Sequence, residues 1–167
     1  MSVIAISALL HDVHRLMSNK LGYFVYPEDS LDVVEKILVS CLVKQDEIKK
    51  ILNIIKNHEN KQDKNHSLEV LIVQDADCLD AIGKTGLKRC LKYCKVHHIP
   101  ITNTNYPLNC KEYIPDINPI SACHYIYRTM IPNAKNLYTK TAKELAKNKI
   151  KTLETFLKKS LGDNYEG

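Results

Sequence analysis

A chain of 167 residues is long enough to bury a core of its own and fits one domain. With 44% hydrophobic and 26% charged residues it has the composition of a globular protein, not of a disordered or collagenous one. The formal charge of +5 comes largely from lysines at 84–95 and 140–159 that read as solvated helix faces, and no arginine block interleaved with aromatics signals nucleic acid.

The apolar run Val3–Leu10, broken by Ser7, falls short of the ~20 residues a membrane span needs. It also lacks the basic start of a secretory signal. It reads as a buried helix that runs on through Asp12, Val13 and Leu16. Gly22, Pro27 and Glu28-Asp29-Ser30 end that pattern, and Asp29 or Ser30 caps a second helix with the stripe Leu31, Val34, Ile37, Leu38 and Cys41. Ile48, Ile51, Leu52 and Ile55 form the next stripe, which ends at Asn57-His58 before the polar loop NHENKQDKNHS. The segment LEVLIVQDADCLDAIG has a β-branched run suited to a strand, but its length favours a buried helix up to Gly83. Leu87, Cys90, Leu91 and Cys94 mark another helix, to about Val96. Pro, Asn and Tyr make 98–119 a loop. A helix over 119–130 has Pro119 in its first turn, and a last one over 139–161 buries Ala142, Leu145, Ala146, Ile150, Leu153, Phe156 and Leu157. The expected class is all-α, with no repeat or linker dividing residues 1–167. Six cysteines without a CxxC pair read as reduced thiols in a cytoplasmic protein.

Two groups of residues carry chemistry. His11 and Asp12 are adjacent at the end of the apolar run, and neighbours about 100° apart on a helix can lean toward one cation as N and O ligands. Alone, the pair is weak evidence, and a buried histidine beside a polar helix end is its more ordinary reading. The second group, QDADCLD, sets Asp75, Asp77 and Asp80 in an apolar segment, where a carboxylate is costly unless a cation or donors neutralise it. Asp77 and Asp80 share a helix face, whereas Asp75 lies about 200° from Asp77. Asp77 is the better ligand and Asp80 its neighbouring support, with helix caps and surface ion pairs as the alternative.

ALLHDVHR, followed some sixty residues later by VQDADCLDAIGKTGLKRC, resembles the HD-domain metal-dependent phosphohydrolases, closest to their small single-domain bacterial-type branch. IIKNH resembles the branch's second histidine at a helix end, and SACHYIYRTMIPNAKNLYTKTAKELAKNK its closing pattern. The resemblance implies an HD-domain helical bundle around one or two divalent ions (Mn, Mg, Fe, Co, Ni or Zn). It implies His11, Asp12 and Asp77 as metal ligands, and His58 near a second metal or the phosphate. Asp12, Asp80 and Arg89 become catalytic candidates, with His58, Lys84, Lys88 and Arg89 binding substrate. The implied reaction is hydrolysis of a phosphoester or phosphoanhydride, typically in a nucleotide, for which a hard cation polarises the phosphoryl oxygen and nearby cations stabilise its charge.

The chain departs from that pattern. The family's first ligand histidine lies on a helix well before the HD pair, where this chain has ten residues and no histidine; the first helices are expected to be missing. Cys78 replaces the arginine of the branch's DADRLD, and Lys84-Thr85 replace small residues. His14, about 60° around the helix from His11, is the candidate surrogate ligand, against a surface or substrate-side role. His66, His97 and His98 are expected in solvent, and His124 in a structural place. Three readings follow: a working phosphohydrolase, a degenerate HD fold that binds nucleotides or proteins, or a longer product that starts upstream. Loss of the first helices predicts an uncovered apolar surface and a homodimer through the N-terminal helix.

Overall fold

The computed structural model describes residues 2–60, 65–115 and 117–162. It is an all-α helical bundle; among the described residues the one β feature is an isolated bridge between Ile114 and Asn118. Two compact units divide the chain, residues 1–77 and 78–167.

In the first unit, α1 (Val3–Leu10) starts at Ser2, whose side chain accepts from the Ala5 amide at 3.3 Å. The helix does not run on through Asp12 as its periodicity suggests. It stops at His11, and α2 (Val13–Leu21) begins after Asp12. Gly22 closes α2 in the left-handed conformation at φ 78°. A 3-10 turn, Pro27–Ser30, leads into α3 (Leu31–Ser40), and α4 (Gln45–Asn57) follows. Ile48, Ile51 and Ile55 of α4 pack with Val34 and Leu38 of α3, flanked by Val3, Ile6 and Leu10 of α1. Each fully buried branched side chain contributes roughly 1.5–3 kcal/mol. Of the predicted α3 stripe, Ile37 and Cys41 are instead exposed, because only the Val34–Leu38 edge meets α4. Ile54 turns to Val70 and Val73, which begin α5 (Leu68–Asp80), so the β-branched run is helical.

The second unit opens within α5 and continues into α6 (Gly83–Val96). After the irregular segment, α7 (Ala122–Tyr125) starts at Ser121 rather than Pro119, because the serine hydroxyl accepts from the His124 amide. It passes through a π-turn, Ile126–Met130, into α8 (Ile131–Lys135). The last helix, α9 (Lys140–Leu161), is capped by Thr139. Cys123, Ile126, Leu153 and Leu157 centre this core. Leu145, expected inside, is 57% exposed, since the buried edge of α9 runs through Ala142, Ala146 and Leu153.

Candidate metal centre

The break between α1 and α2 is what makes a site of ALLHDVHR. His11 is the C-cap of α1, where carbonyls lack helical donors. Its Nδ1 bonds to the Ala8 carbonyl at 2.8 Å. The His14 Nδ1 bonds in the same way to the His11 carbonyl at 3.1 Å. His58, the C-cap of α4, bonds through Nδ1 to the Ile55 carbonyl at 2.6 Å. A carbonyl only accepts, so each Nδ1 carries the proton and each Nε2 keeps its lone pair. Three histidines, each tied to the carbonyl three residues before it, thus present ligand-ready nitrogens.

Those nitrogens converge. The His11 and His58 rings lie edge to face at 5.1 Å between centroids, and His14 and His58 at 5.5 Å. The His11 Nε2 is 3.5 Å from Asp12 Oδ2 and 3.8 Å from Asp77 Oδ1. Both separations exceed a hydrogen bond, and they are close to the ~3.4 Å edge of a tetrahedron built on metal–ligand distances near 2.1 Å. Ligand atoms of His11, Asp12 and His58 all lie within 4.8 Å of one another, and so do those of His14, His58 and Glu59. His14 and His58 are fully buried, and among the described residues their Nε2 atoms accept no hydrogen bond. A buried polar atom left so costs stability, and a cation would satisfy it.

The facing Asp77 carboxylate, helped by the Ala8 carbonyl and Asp12, holds His11 above the ordinary histidine pKa, against its partial burial. Burial pushes His58 the other way, toward the neutral imidazole a metal requires.

Two residues of the cluster escaped the sequence reading. Glu59 Oε1 lies 3.4 Å from His14 Nε2 and 3.9 Å from His58 Nε2. Arg15 joins two carboxylates, at 2.7 Å to Asp12 Oδ1 through Nε and 2.7 Å to Glu59 Oε1 through Nη2. The signal was present as a second His-acid pair, His58-Glu59, at a helix end like His11-Asp12. Gln74, also unassigned, is buried and donates to the Asn57 and Asn60 carbonyls at 2.9 and 3.0 Å, which fixes the chain around His58.

Asp80, Lys84, Lys88 and Arg89 lie in the second unit. Arg89 bonds to the Asp80 carbonyl and, at 2.7 Å, to its carboxylate, so these two form an exposed ion pair. Lys84 and Lys88 are exposed on α6. Asp75 is buried on α5. His97 and His98 are exposed and His66 is half-buried. His124 is buried between the Ser121 hydroxyl at 2.7 Å and the Pro107 carbonyl at 3.2 Å, a structural place.

The sequence profile of the HD domain matches residues 1–82, a span that contains the whole histidine cluster. An HD-superfamily hydrolase from Bacillus thuringiensis is similar in structure, with a TM-score of 0.70, 25% identity, and coverage of 95% of this chain and 71% of that one. The Lin1889 protein of Listeria innocua has a TM-score of 0.61 at 25% identity, over 94% and 83% of the two chains. Bacillus subtilis YpgQ has a TM-score of 0.63 at 18% identity, over 98% and 89%, and has also been solved in complex with ADP. No protein with a curated description matches significantly. Residues 1–82 thus match the HD-domain profile, and the fold is shared with an HD-superfamily hydrolase.

Proposed function

We propose that the chain is a metal-dependent phosphohydrolase acting on a phosphoester or phosphoanhydride, with a nucleotide as substrate. The observation that carries this reading is the convergence of His11, Asp12 and His58 ligand atoms, with Asp77 facing His11. His11, Asp12 and Asp77 would hold the ion, and its chemistry is Lewis acidity toward a phosphoryl oxygen. Arg15 holds Asp12 in place and sets a permanent positive charge beside the ligand carboxylates, suited to an anionic substrate. On this reading Lys84, Lys88 and Arg89 remain candidates for phosphate binding, and Asp80 orients Arg89. The ADP complex of YpgQ supports the nucleotide class. The thiols, five of six buried or half-buried, support a cytoplasmic place, and the exposed N-terminal leucines support a homodimer. No helix among the described residues is long and apolar enough to cross a membrane.

Release of phosphate or pyrophosphate from a panel of nucleoside mono-, di- and triphosphates with Mn(II), with and without EDTA, tests the reading. EDTA-sensitive turnover that drops at least about a hundredfold in Asp77→Asn is expected, since the loss of one ligand or charge-stabilising contact is worth about 3 kcal/mol. No bound metal and no EDTA-sensitive turnover would sink it. One observation favours a second reading, a nucleotide-binding module without catalysis. Arg15 already neutralises Asp12 and Glu59 and offers a phosphate-binding cation of its own. That module would bind the same nucleotides with EDTA present.

A further inference from the structure

We propose that the outer face of α6 is a docking surface for single-stranded nucleic acid, on which a row of lysines follows the phosphates and the exposed Tyr93–His97 pair stacks on a base. The surface lies wholly in the second unit and needs neither the ion nor the reaction proposed above.

The charge of the chain is unevenly divided. Residues 1–77 hold nine Lys and Arg against twelve Asp and Glu, whereas residues 78–167 hold fifteen against seven. Within the second unit the excess concentrates on α6, GKTGLKRCLKYCKV, which has five cations and no acid. Arg89 is paired with Asp80. Lys84, Lys88, Lys92 and Lys95 are exposed and make no ion pair among the described residues. At about 100° per residue these four fall within about 80° of one another, on the side opposite the buried Gly83, Gly86 and Cys94. They step along the axis by about 5–6 Å, a spacing that successive backbone phosphates of a strand can meet.

An ordinary solvated face answers such a row with carboxylates, and α9 does so. Lys147 pairs with Glu144 at 2.8 Å, and Glu154 stands 4.0 Å from Lys135. The α6 row has no such answer, though like charges at i,i+4 repel and Lys84 sits at the positive end of the helix dipole. A bound polyanion relieves that repulsion and releases the small counterions held there.

The aromatic end of the helix selects among polyanions. Tyr93 is 58% exposed, and its ring lies 4.2 Å from that of His97, tilted by 36°. Tyr93 follows Lys92 directly and is one turn from Arg89, so ring faces and cations adjoin on one helix. A base can stack on such a platform, whereas an acidic peptide or a lipid headgroup has no ring to place there.

Fluorescence anisotropy of a labelled oligothymidylate of about twelve nucleotides, without terminal phosphate and with EDTA present, tests the surface apart from any metal or turnover. Wild type is expected to bind in the micromolar range. Its log K is expected to fall against log salt with a slope of about −2 to −3, since each phosphate neutralised on a single strand contributes about −0.7. Lys92→Gln/Lys95→Gln is expected to bring that slope about 1.4 closer to zero, and Tyr93→Ala to weaken binding at least about fivefold with the slope unchanged. Both variants spare Lys84, Lys88 and Arg89, so any nucleotide hydrolysis is expected at the wild-type rate; a matching loss would assign these side chains to the nucleotide site and overturn the surface. If no nucleotide is hydrolysed at all, the proposed reaction falls and the binding result stands by itself. Lys143→Gln/Lys151→Gln removes the same charge from α9 and is expected to change binding less than about twofold; a loss equal to that of the α6 variant would leave net charge as the cause. No binding, or equal competition by poly-glutamate, phosphatidylserine vesicles or a DNA duplex, likewise overturns the surface.

Discussion

A histidine at a helix C-cap does two things at once. Its Nδ1–H satisfies a carbonyl the helix has left over, and that bond turns Nε2 away from its own helix. His11 and His58 both do this, and His14 follows the pattern one turn on. Adjacent carboxylates then need no long-range contact to arrive beside those nitrogens, since Asp12 and Glu59 are the next residues in the chain. The same scale governs the thiols. Cys41 is exposed, whereas Cys78, Cys94, Cys110 and Cys123 are buried and Cys90 is half-buried. Burial pushes the Cys90 thiol up to about 12 and the Cys123 thiol to about 11, which keeps both protonated and unreactive at neutral pH. A thiol reagent at pH 8 is expected to label one cysteine quickly in the native protein, and Cys41→Ser to abolish that fast phase. Rapid labelling of several cysteines would contradict the described burial.

Among the elements, the turn from α5 to α6 is the most exacting. Gly83 adopts φ 71°, and a Cβ there would lie 2.9 Å from Lys149 Cγ. Gly86 is tighter still: its Cβ would stand 1.9 Å from the Ala81 carbonyl oxygen, a backbone atom that cannot step aside. Gly86→Ala is therefore expected to cost about 2–4 kcal/mol and lower the melting temperature by about 5–15 °C. Gly22→Ala meets no atom within 4 Å and has only its left-handed φ of 78° against it, a cost of about 1 kcal/mol. Equal melting temperatures for the two variants would refute the steric account. This turn also explains why GKTG follows the aspartate segment. The chain reverses from α5 into α6 within a few residues, and only glycine fits both places.

For the whole molecule, the buried thiols give stability a sign with pH. The Cys90 and Cys123 thiols ionise near 9.0 when exposed by unfolding and near 12 and 11 when folded. The folded state thus holds more protons between those values. Its stability is fully present below pH 9 and falls as pH rises toward 11–12. Urea midpoints at pH 8, 9 and 10 are expected to decline in that order, and Cys90→Ala to flatten the slope. Surface apolarity belongs to this scale too. Leu9 and Leu16 of the first unit are 75% and 69% exposed, in keeping with a partner over the N-terminal helix. Light scattering at micromolar concentration is expected to give twice the chain mass of 19.1 kDa; the mass of one chain would remove the homodimer.

Residue order alone determined the all-α class and most helix limits, and it singled out His11, Asp12, Asp77 and His58 as candidates. Helical periodicity and breakers are local, and local signals survive in a single sequence. His11-Asp12 and the aspartates of α5 stood out because polar groups in apolar runs demand a partner. What periodicity hid was the break at His11 itself, since apolar residues before and after it keep the same spacing. Only the tertiary structure decided that Glu59 and Arg15 join the cluster. Arg15 and Glu59 are 44 residues apart, and their 2.7 Å contact exists because α1 packs on α4 and brings the two helix ends together. It likewise decided that Leu145, Ile37 and Cys41 face outward, for a stripe names the apolar side of a helix and its neighbours choose which edge is covered.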